Sequence, residues 1–162
     1  MQDKKRSMQI MIESLQKKEK VLDDIIAANE RQTEIITEQQ PDWEAFDEQV
    51  DVKTELIGKL DLLDEGFEGL YNTIKDLLAD PSRKDEYAAE VKQMQQLIKI
   101  LTDKSMSIQA AEARNKQMME AKFEGQRREI KVGRTSSRVA LDYYNNMRQT
   151  GMLQSQFLDS KK

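Results

Sequence analysis

Four carboxylates, Asp61, Asp64, Glu65 and Glu68, lie within one stretch of eight residues and are the closest approach in this chain to an acidic site. Clustered carboxylates can bind hard cations or transfer protons as general acids and bases. The stretch lacks the calcium-loop spacing with its central glycine, and no neighbouring residue stands out as one that would tune a carboxylate for catalysis. The pattern therefore favours a solvent-exposed helix face over a metal or catalytic site.

The residue types that the chain lacks exclude several other chemistries. It contains no cysteine and no histidine. Nucleophiles activated by histidine, zinc sites built from cysteine and histidine, and di-iron sites that use a Glu-x-x-His pair are all excluded. An enzyme would need a carboxylate or lysine site, and none stands out. The sequence predicts a protein that is not an enzyme and that has no cofactor and no metal.

A row of basic residues, Arg127, Lys131, Arg134 and Arg138, recurs at helical spacing near the C-terminus. Such a row could contact nucleic acid, but the chain has a net charge of −4 and no aromatic residue interleaves the row. Residues 1–124 carry 18 basic and 27 acidic side chains, a net charge of −9, whereas residues 125–162 carry 8 and 3, a net charge of +5. An acidic protein partner, or the acidic body of the protein itself, fits the row better than nucleic acid.

The overall composition is typical of long helices. Charged residues make up 35% of the 162 positions, and the chain has six glycines and two prolines. No stretch approaches the ~20 apolar residues of a membrane span, and the first residues lack the apolar run of a secretory signal. We expect one helical body without membrane insertion, in the cytoplasm.

Heptad spacing predicts a first helix at about 4–37 and a second at 43–79. In the first helix, the polar Asn29 interrupts an apolar stripe and is expected to fix the register of packing at some cost in stability. The second helix has three apolar rows, which suit a bundle with two neighbours, and Lys53 and Asp64 are exceptions within two of the rows. Glycines 58, 66 and 69 either allow close packing or bend this helix. The stripe of the first helix comprises Met8, Leu15, Leu22 and Ile36.

Proline marks both breaks between the predicted helices. Pro41 and Asp42 indicate the start of the second helix, and Asp80, Pro81 and Ser82 have the chemistry of a turn. A third helix follows at about 83–124, expected to extend beyond the other two and to be less buried in its second half. The predicted fold is all-α: an antiparallel, coiled-coil-like bundle of three long helices over residues 1–124.

Residues 125–162 are predicted to form a basic connector and an amphipathic C-terminal segment, present as a short helix or a flexible tail. The segment is too short to be stable alone in water, so it either docks on the third helix or binds a partner. Aromatic residues and methionine are enriched in interfaces. The candidate partner-binding residues, including three at the end of the third helix, are Met118, Met119, Phe123, Ala140, Tyr143, Tyr144, Met147, Leu153 and Phe157. The methionines among them, Phe123 and the two tyrosines are expected to be exposed.

Three stretches together carry a family resemblance: KTELIGKLDLLDEGFEGLYNTIKDLL, LTDKSMSIQAAEARNK, and YYNNM followed by FLDSKK. They resemble the FlgN-type flagellar export chaperones of clostridia-like bacteria over most of residues 8–162. The FliT type, which binds the filament cap, is similar in architecture and stays an alternative. The basic row before YYNNM matches no motif of these families.

The resemblance implies a cytoplasmic helical chaperone without enzymatic activity. It would bind hook–filament junction proteins, prevent their early assembly and deliver them to the flagellar type III export apparatus. The C-terminal part would bind the cargo, which corresponds here to the second half of the third helix and residues 138–157. A structural coiled-coil protein that forms homo-oligomers through its heptads is the alternative from a different class.

Overall fold

The structure is a computed structural model that describes residues 2–123, and these residues form three long helices without any strand. Helix α1 covers Gln2–Ile36, α2 covers Trp43–Ala79 and α3 covers Ala88–Phe123, with a 3-10 helix at Pro81–Tyr87. The predicted all-α bundle is confirmed. The predicted segment of residues 125–162 lies outside the described residues.

Helix α1 lies between the other two helices, and α2 runs antiparallel to it. Ser14 donates a hydrogen bond to the carbonyl of Leu63 at 3.3 Å, whereas Gln32, eighteen residues further along α1, donates to the earlier carbonyl of Phe46. The backbone of α1 approaches both α2 and α3 along its length, but α2 and α3 hardly approach one another. Side chains rather than close backbone packing therefore close the α2–α3 side of the bundle.

Helix α3 runs parallel to α1, and its described part reaches the level of the end of α1. Lys104 of α3 contacts Asp23 at 2.6 Å in the middle of the bundle, and Lys122 donates to the carbonyl of Glu38 just beyond the end of α1. The three helices have 35, 37 and 36 residues. The first predicted turns of the third helix belong to the 3-10 helix, and the expectation that this helix extends beyond its neighbours concerns residues after Phe123, which lie outside the described residues.

The two predicted breaks lie where proline and aspartate indicate them. Asp42 is the N-cap of α2, and its carboxylate accepts a hydrogen bond from the backbone NH of Ala45 at 3.1 Å. At the second break, the carboxylate of Asp80 accepts from the NH of Ser82 at 3.0 Å, which holds a tight turn with Pro81 in the first position. Short 3-10 segments are common at the starts of helices, and here one delays α3 to Ala88.

The apolar rows predicted for α2 face the core, and α1 contributes apolar side chains toward both neighbours. The most buried of these residues are at most 9% exposed, and their burial provides the main stabilising free energy of the bundle. We call this group the main cluster: Met8, Met11, Ile12, Leu15, Leu22, Ile25, Leu56, Ile57, Leu60, Phe67, Ile74, Leu77, Tyr87, Met94, Leu97, Ile98, Leu101 and Ile108.

The three glycines of α2 are exposed, and a methyl group added at any of them would meet no atom within 4 Å. Close helix packing therefore does not explain them.

One face of the second half of α3 is buried although its apolar stripe weakens, while other positions there, such as Met106 and Arg114, are exposed. The polar residues in the stripe, which include Glu112 and Asn115, are themselves at most 3% exposed. The stripe becomes less hydrophobic because polar residues that pack inside the bundle occupy several of its positions.

Candidate functional site

Lys53 of α2 is the centre of a buried group of polar side chains. Its ammonium Nζ donates to Glu112 Oε1 of α3 at 2.6 Å, to Gln32 Oε1 of α1 at 2.6 Å and to Asn29 Oδ1 of α1 at 2.9 Å. The side chains of Lys53 and Glu112 are 5% and 3% exposed. The ammonium ion of Lys53 thus connects all three helices, and each of its three N–H groups donates a hydrogen bond.

The group continues on the α1–α3 side through Asn115. The side-chain amide of Asn115 donates to the carbonyl of Asn29 at 3.2 Å, and its Oδ1 accepts from the hydroxyl of Thr33 at 2.8 Å. The Nδ2 of Asn29 has no hydrogen-bond partner. We call Asn29, Gln32, Thr33, Lys53, Glu112 and Asn115 the polar layer.

Burial lowers the pKa of Lys53 from its ordinary value of 10.5, because the low-dielectric interior disfavours the ammonium ion. The negative charge of Glu112 and its hydrogen bond act in the opposite direction and raise the same pKa, without cancelling the effect of burial. A buried ion pair is weak evidence of stability, because the cost of removing two ions from water can exceed their attraction. A role in the register or opening of the bundle is therefore worth considering.

The polar layer separates the main cluster from a smaller apolar group at one end of the bundle. We call Ile35, Ile36, Phe46, Val50 and Met119 the end cluster. Partly buried Trp43, Ala45 and Met118 pack against it, and the ring of Trp43 lies edge-on to Phe46 with centroids 5.7 Å apart. This is the end at which α3 leads into residues 124–162.

The structure describes the side chains of two of the predicted partner-binding residues, Met118 and Met119. Met118 is partly buried beside the end cluster. Met119 is only 1% exposed, so the expectation that it is an exposed contact is wrong. Two adjacent methionines give no clear sign of which one faces the core. Met119 faces it because it lies seven residues, about two helical turns, after the buried Glu112. Phe123 ends α3.

The side chain of Phe123 and the whole of Ala140, Tyr143, Tyr144, Met147, Leu153 and Phe157 lie outside the described residues. Their predicted contacts stay predictions.

The acidic stretch of α2 forms no metal site. Lys18 of α1 pairs with Asp64 at 2.5 Å, which explains why a carboxylate occupies that heptad position. Desolvation, and then the charges of Asp64 and Glu65, raise the pKa of Asp61. No group of three residues in the described part of the chain has the geometry of a metal site.

A cleft of about 180 Å³ lies between α1 and α3 beside the polar layer. Asn29 and Thr33 line it together with the apolar Ile26 and Ile108, and the charged Glu30 and Arg114 stand at its walls. The cleft thus borders Asn29 and Thr33 of the polar layer.

The pairing of Lys53 with Glu112 was not found by sequence reasoning, although part of its signal was visible. Lys53 was recognised as an exception to its heptad row and Asn29 as a break in its stripe. Whether Lys53 and Asn29 meet depends on the antiparallel register of α1 and α2, and two irregular positions are not enough to determine that register. Glu112 lies where the apolar stripe of α3 is weak, and the sequence gives no reason to single it out from the other charged residues there.

Comparisons of the chain with family models, curated proteins and solved structures gave no match. In residues 2–123, no helix contains an apolar stretch that could cross a membrane.

Proposed function

We propose that the protein is an export chaperone of the FlgN type, which binds hook–filament junction proteins in the cytoplasm and delivers them to the flagellar export apparatus. The family resemblance of the sequence is the source of this identity. The three-helix architecture is compatible with it and does not by itself name the cargo.

The observation that best supports a binding role is the composition of the bundle end. There, partly exposed Trp43 and Met118 lie beside the end cluster, next to the point where residues 124–162 begin. Aromatic and methionine side chains at such a position suit contact with an amphipathic helix. In this proposal, Tyr143, Tyr144 and Met147 extend the apolar surface and share the contact with cargo.

The distribution of heptad residues favours this role over a structural protein that oligomerises. Apolar heptad positions of all three helices are buried within one chain, for example Leu22, Leu60 and Met94 at 0% exposure. The exposed apolar side chains, such as Ile10 and Leu62, are distributed over separate helices. A single chain therefore satisfies the heptads that a coiled-coil oligomer would need.

Calorimetric titration of the full chain with hook–filament junction proteins tests the proposal. We expect saturable binding, and we expect the change of both Tyr143 and Tyr144 to alanine to weaken it while the helical circular dichroism stays the same. Ile10→Ala is the matched control, because it also removes an exposed apolar side chain but lies near the start of α1.

Each alternative has its own outcome. Binding of the filament-cap protein in place of the junction proteins would identify the FliT type. Stable higher oligomers of residues 1–124 by light scattering, with no binding of axial proteins, would support a structural protein. Unchanged affinity of the double tyrosine variant would remove the C-terminal segment from the binding site.

A further inference from the structure

The last twelve described residues of α3, 112–123, are attached to the bundle differently from the rest of that helix. From Val91 to Ile108, α3 contributes six apolar side chains to the main cluster or its margin. Beyond Ile108, the described side chains of α3 contribute two to the end cluster or its margin, buried Met119 and partly buried Met118. The other buried contacts of this part of α3 are polar and run through Glu112 and Asn115.

This difference lowers the free energy needed to detach the segment. A net hydrogen bond between neutral groups, such as those of Asn115, stabilises by about 1 kcal/mol, less than a fully buried apolar side chain at about 1.5–3 kcal/mol. The charged bond between Lys53 and Glu112 contributes about 1.5–3 kcal/mol. Detachment also rehydrates Lys53 and Glu112, which recovers part of the cost of burying them. Segments with few buried apolar contacts open separately from the rest of a fold.

Detachment would uncover a groove between the C-terminal half of α1 and the N-terminal half of α2. Its floor is apolar and consists of Ile35, Ile36, Phe46 and Val50, which are at most 7% exposed while α3 covers them. One end of the groove carries the Lys53 ammonium ion. The groove is already shaped for a helix, because a helix fills it.

We propose that this groove is a docking site for an amphipathic helix of a partner, which displaces residues 112–123 of α3. Charge and spacing define the occupant: it carries a carboxylate for Lys53, a carboxamide or similar group three residues later, and an aliphatic side chain seven residues after the carboxylate. That pattern reproduces Glu112, Asn115 and Met119. The proposal deepens the proposed function, since it rests on a helical cargo and specifies where that helix binds.

Hydrogen exchange of the full chain, without any cargo, tests the opening separately from the function. We expect the amides of residues 112–119 to share one exchange rate at least ~10-fold faster than those of residues 94–108, a difference of about 1.4 kcal/mol, and to accelerate together with denaturant. A rate equal to that of residues 94–108 would overturn the proposal. So would a gradient that rises one amide at a time toward the helix end, since this is fraying.

A variant with an apolar layer tests the cause of the opening. Asn29→Leu, Gln32→Leu, Lys53→Met and Glu112→Leu together should slow exchange in residues 112–119 at least ~10-fold relative to the natural chain. The control, Lys104→Met, removes two partly exposed α1–α3 ion pairs, to Glu19 and Asp23, and should not slow exchange. Equal exchange in the natural chain and in a folded apolar-layer variant would refute the role of the polar layer. If that variant fails to fold, the natural chain still provides the first test.

A peptide probe tests the occupant. A fluorescent peptide with the sequence of residues 105–123, SMSIQAAEARNKQMMEAKF, should bind the full chain saturably in anisotropy titrations. The same peptide with Glu112→Gln should bind at least ~10-fold more weakly, because it offers Lys53 no negative charge. No binding of the first peptide, or equal binding of both, would contradict the groove or its preference for a carboxylate. Failure of every axial protein to bind, with the peptide bound as expected, would reject the proposed function alone.

Discussion

Replacement of the Lys53–Glu112 ion pair, one partner at a time and then both together, separates the cost of an unpaired buried charge from the value of the pair. Lys53→Met leaves the Glu112 carboxylate, 3% exposed, without its cation. Glu112→Leu leaves the ammonium ion with two neutral acceptors, the amide oxygens of Asn29 and Gln32. We expect each single change to lower the free energy of unfolding by about 3–5 kcal/mol.

The double change should cost less than either single change. It leaves no buried charge, and methionine and leucine fill much of the same volume. The amide of Asn29, whose Nδ2 has no partner, is a donor in the same layer that can satisfy one of the freed oxygens. Replacement of buried ion pairs by apolar residues is often neutral or stabilising by 1–4 kcal/mol, so the double variant should approach the natural chain to within about 2 kcal/mol.

Urea unfolding followed by circular dichroism at neutral pH measures all four chains of this cycle. Lys104→Met is the control for loss of a lysine, and its cost should stay below about 1 kcal/mol, because Lys104 and its partners Glu19 and Asp23 are partly exposed. A double variant whose loss equals the sum of the two single losses would refute this reasoning. It would mean that Lys53 and Glu112 stabilise the fold independently and not as a pair.

The pH dependence provides a second test of the same pair. Because the pKa of Lys53 is lowered in the folded state, the unfolded chain binds more protons between that lowered pKa and 10.5. The contribution of Lys53 to stability therefore rises with pH through this window and is constant below it. Lys53→Met should lack this rise. The hydrogen bonds of Lys104 to Asp23 and then to Glu19 raise the pKa of Lys104 in the folded state. The stability that Lys104 contributes is therefore lost only as the pH rises above 10.5.

Three further predictions concern the helices that hold this layer. Gly66→Ala should raise the free energy of unfolding by about 1 kcal/mol in urea titrations, since the added methyl group meets no atom within 4 Å and alanine favours the helix; a loss of stability would indicate an unseen contact. Asp42→Ala should lower it by about 0.5–2 kcal/mol through loss of the α2 cap, whereas Asp42→Asn, which keeps an acceptor, should lower it less. Burial raises the pKa of Tyr71 to about 12, so the phenolate absorbance of the natural chain should include a step near that pH which Tyr71→Phe lacks; the stability that Tyr71 contributes should be present below 10 and lost as the pH rises toward 12.

The sequence predicted the helices well because their signals are local. Heptad spacing depends on neighbouring turns of one helix, and the capping role of Asp42 depends on the next three residues. The start of α3 was predicted about five residues early, since the choice between a 3-10 turn and an α-helix depends on how Asp80 bonds to Ser82. Propensity alone does not decide that choice.

The polar layer could not be predicted in the same way, because it depends on the relative register of three helices. Asn29 and Lys53 are 24 residues apart, and Lys53 and Glu112 are 59 residues apart. Each residue alone is an irregularity in a stripe. Only the packed bundle brings Asn29 and Glu112 to one ammonium ion, and the same packing turns Met119 inward, against the prediction that it is exposed.

The irregularities at Asn29, Lys53 and Glu112, one in each helix, therefore have one physical explanation. If α2 shifted by one heptad relative to α1, Lys53 would face the apolar neighbours of the main or end cluster instead of Asn29 and Gln32. A buried ammonium ion without acceptors costs several kcal/mol, so the shifted bundle would be disfavoured far more than a fully apolar one. The register role expected of Asn29 thus belongs to the whole layer, with Lys53 as its centre. The same charges that exclude the wrong register also keep the end of α3 from being sealed by apolar contacts, which is why one layer can both specify the bundle and allow it to open.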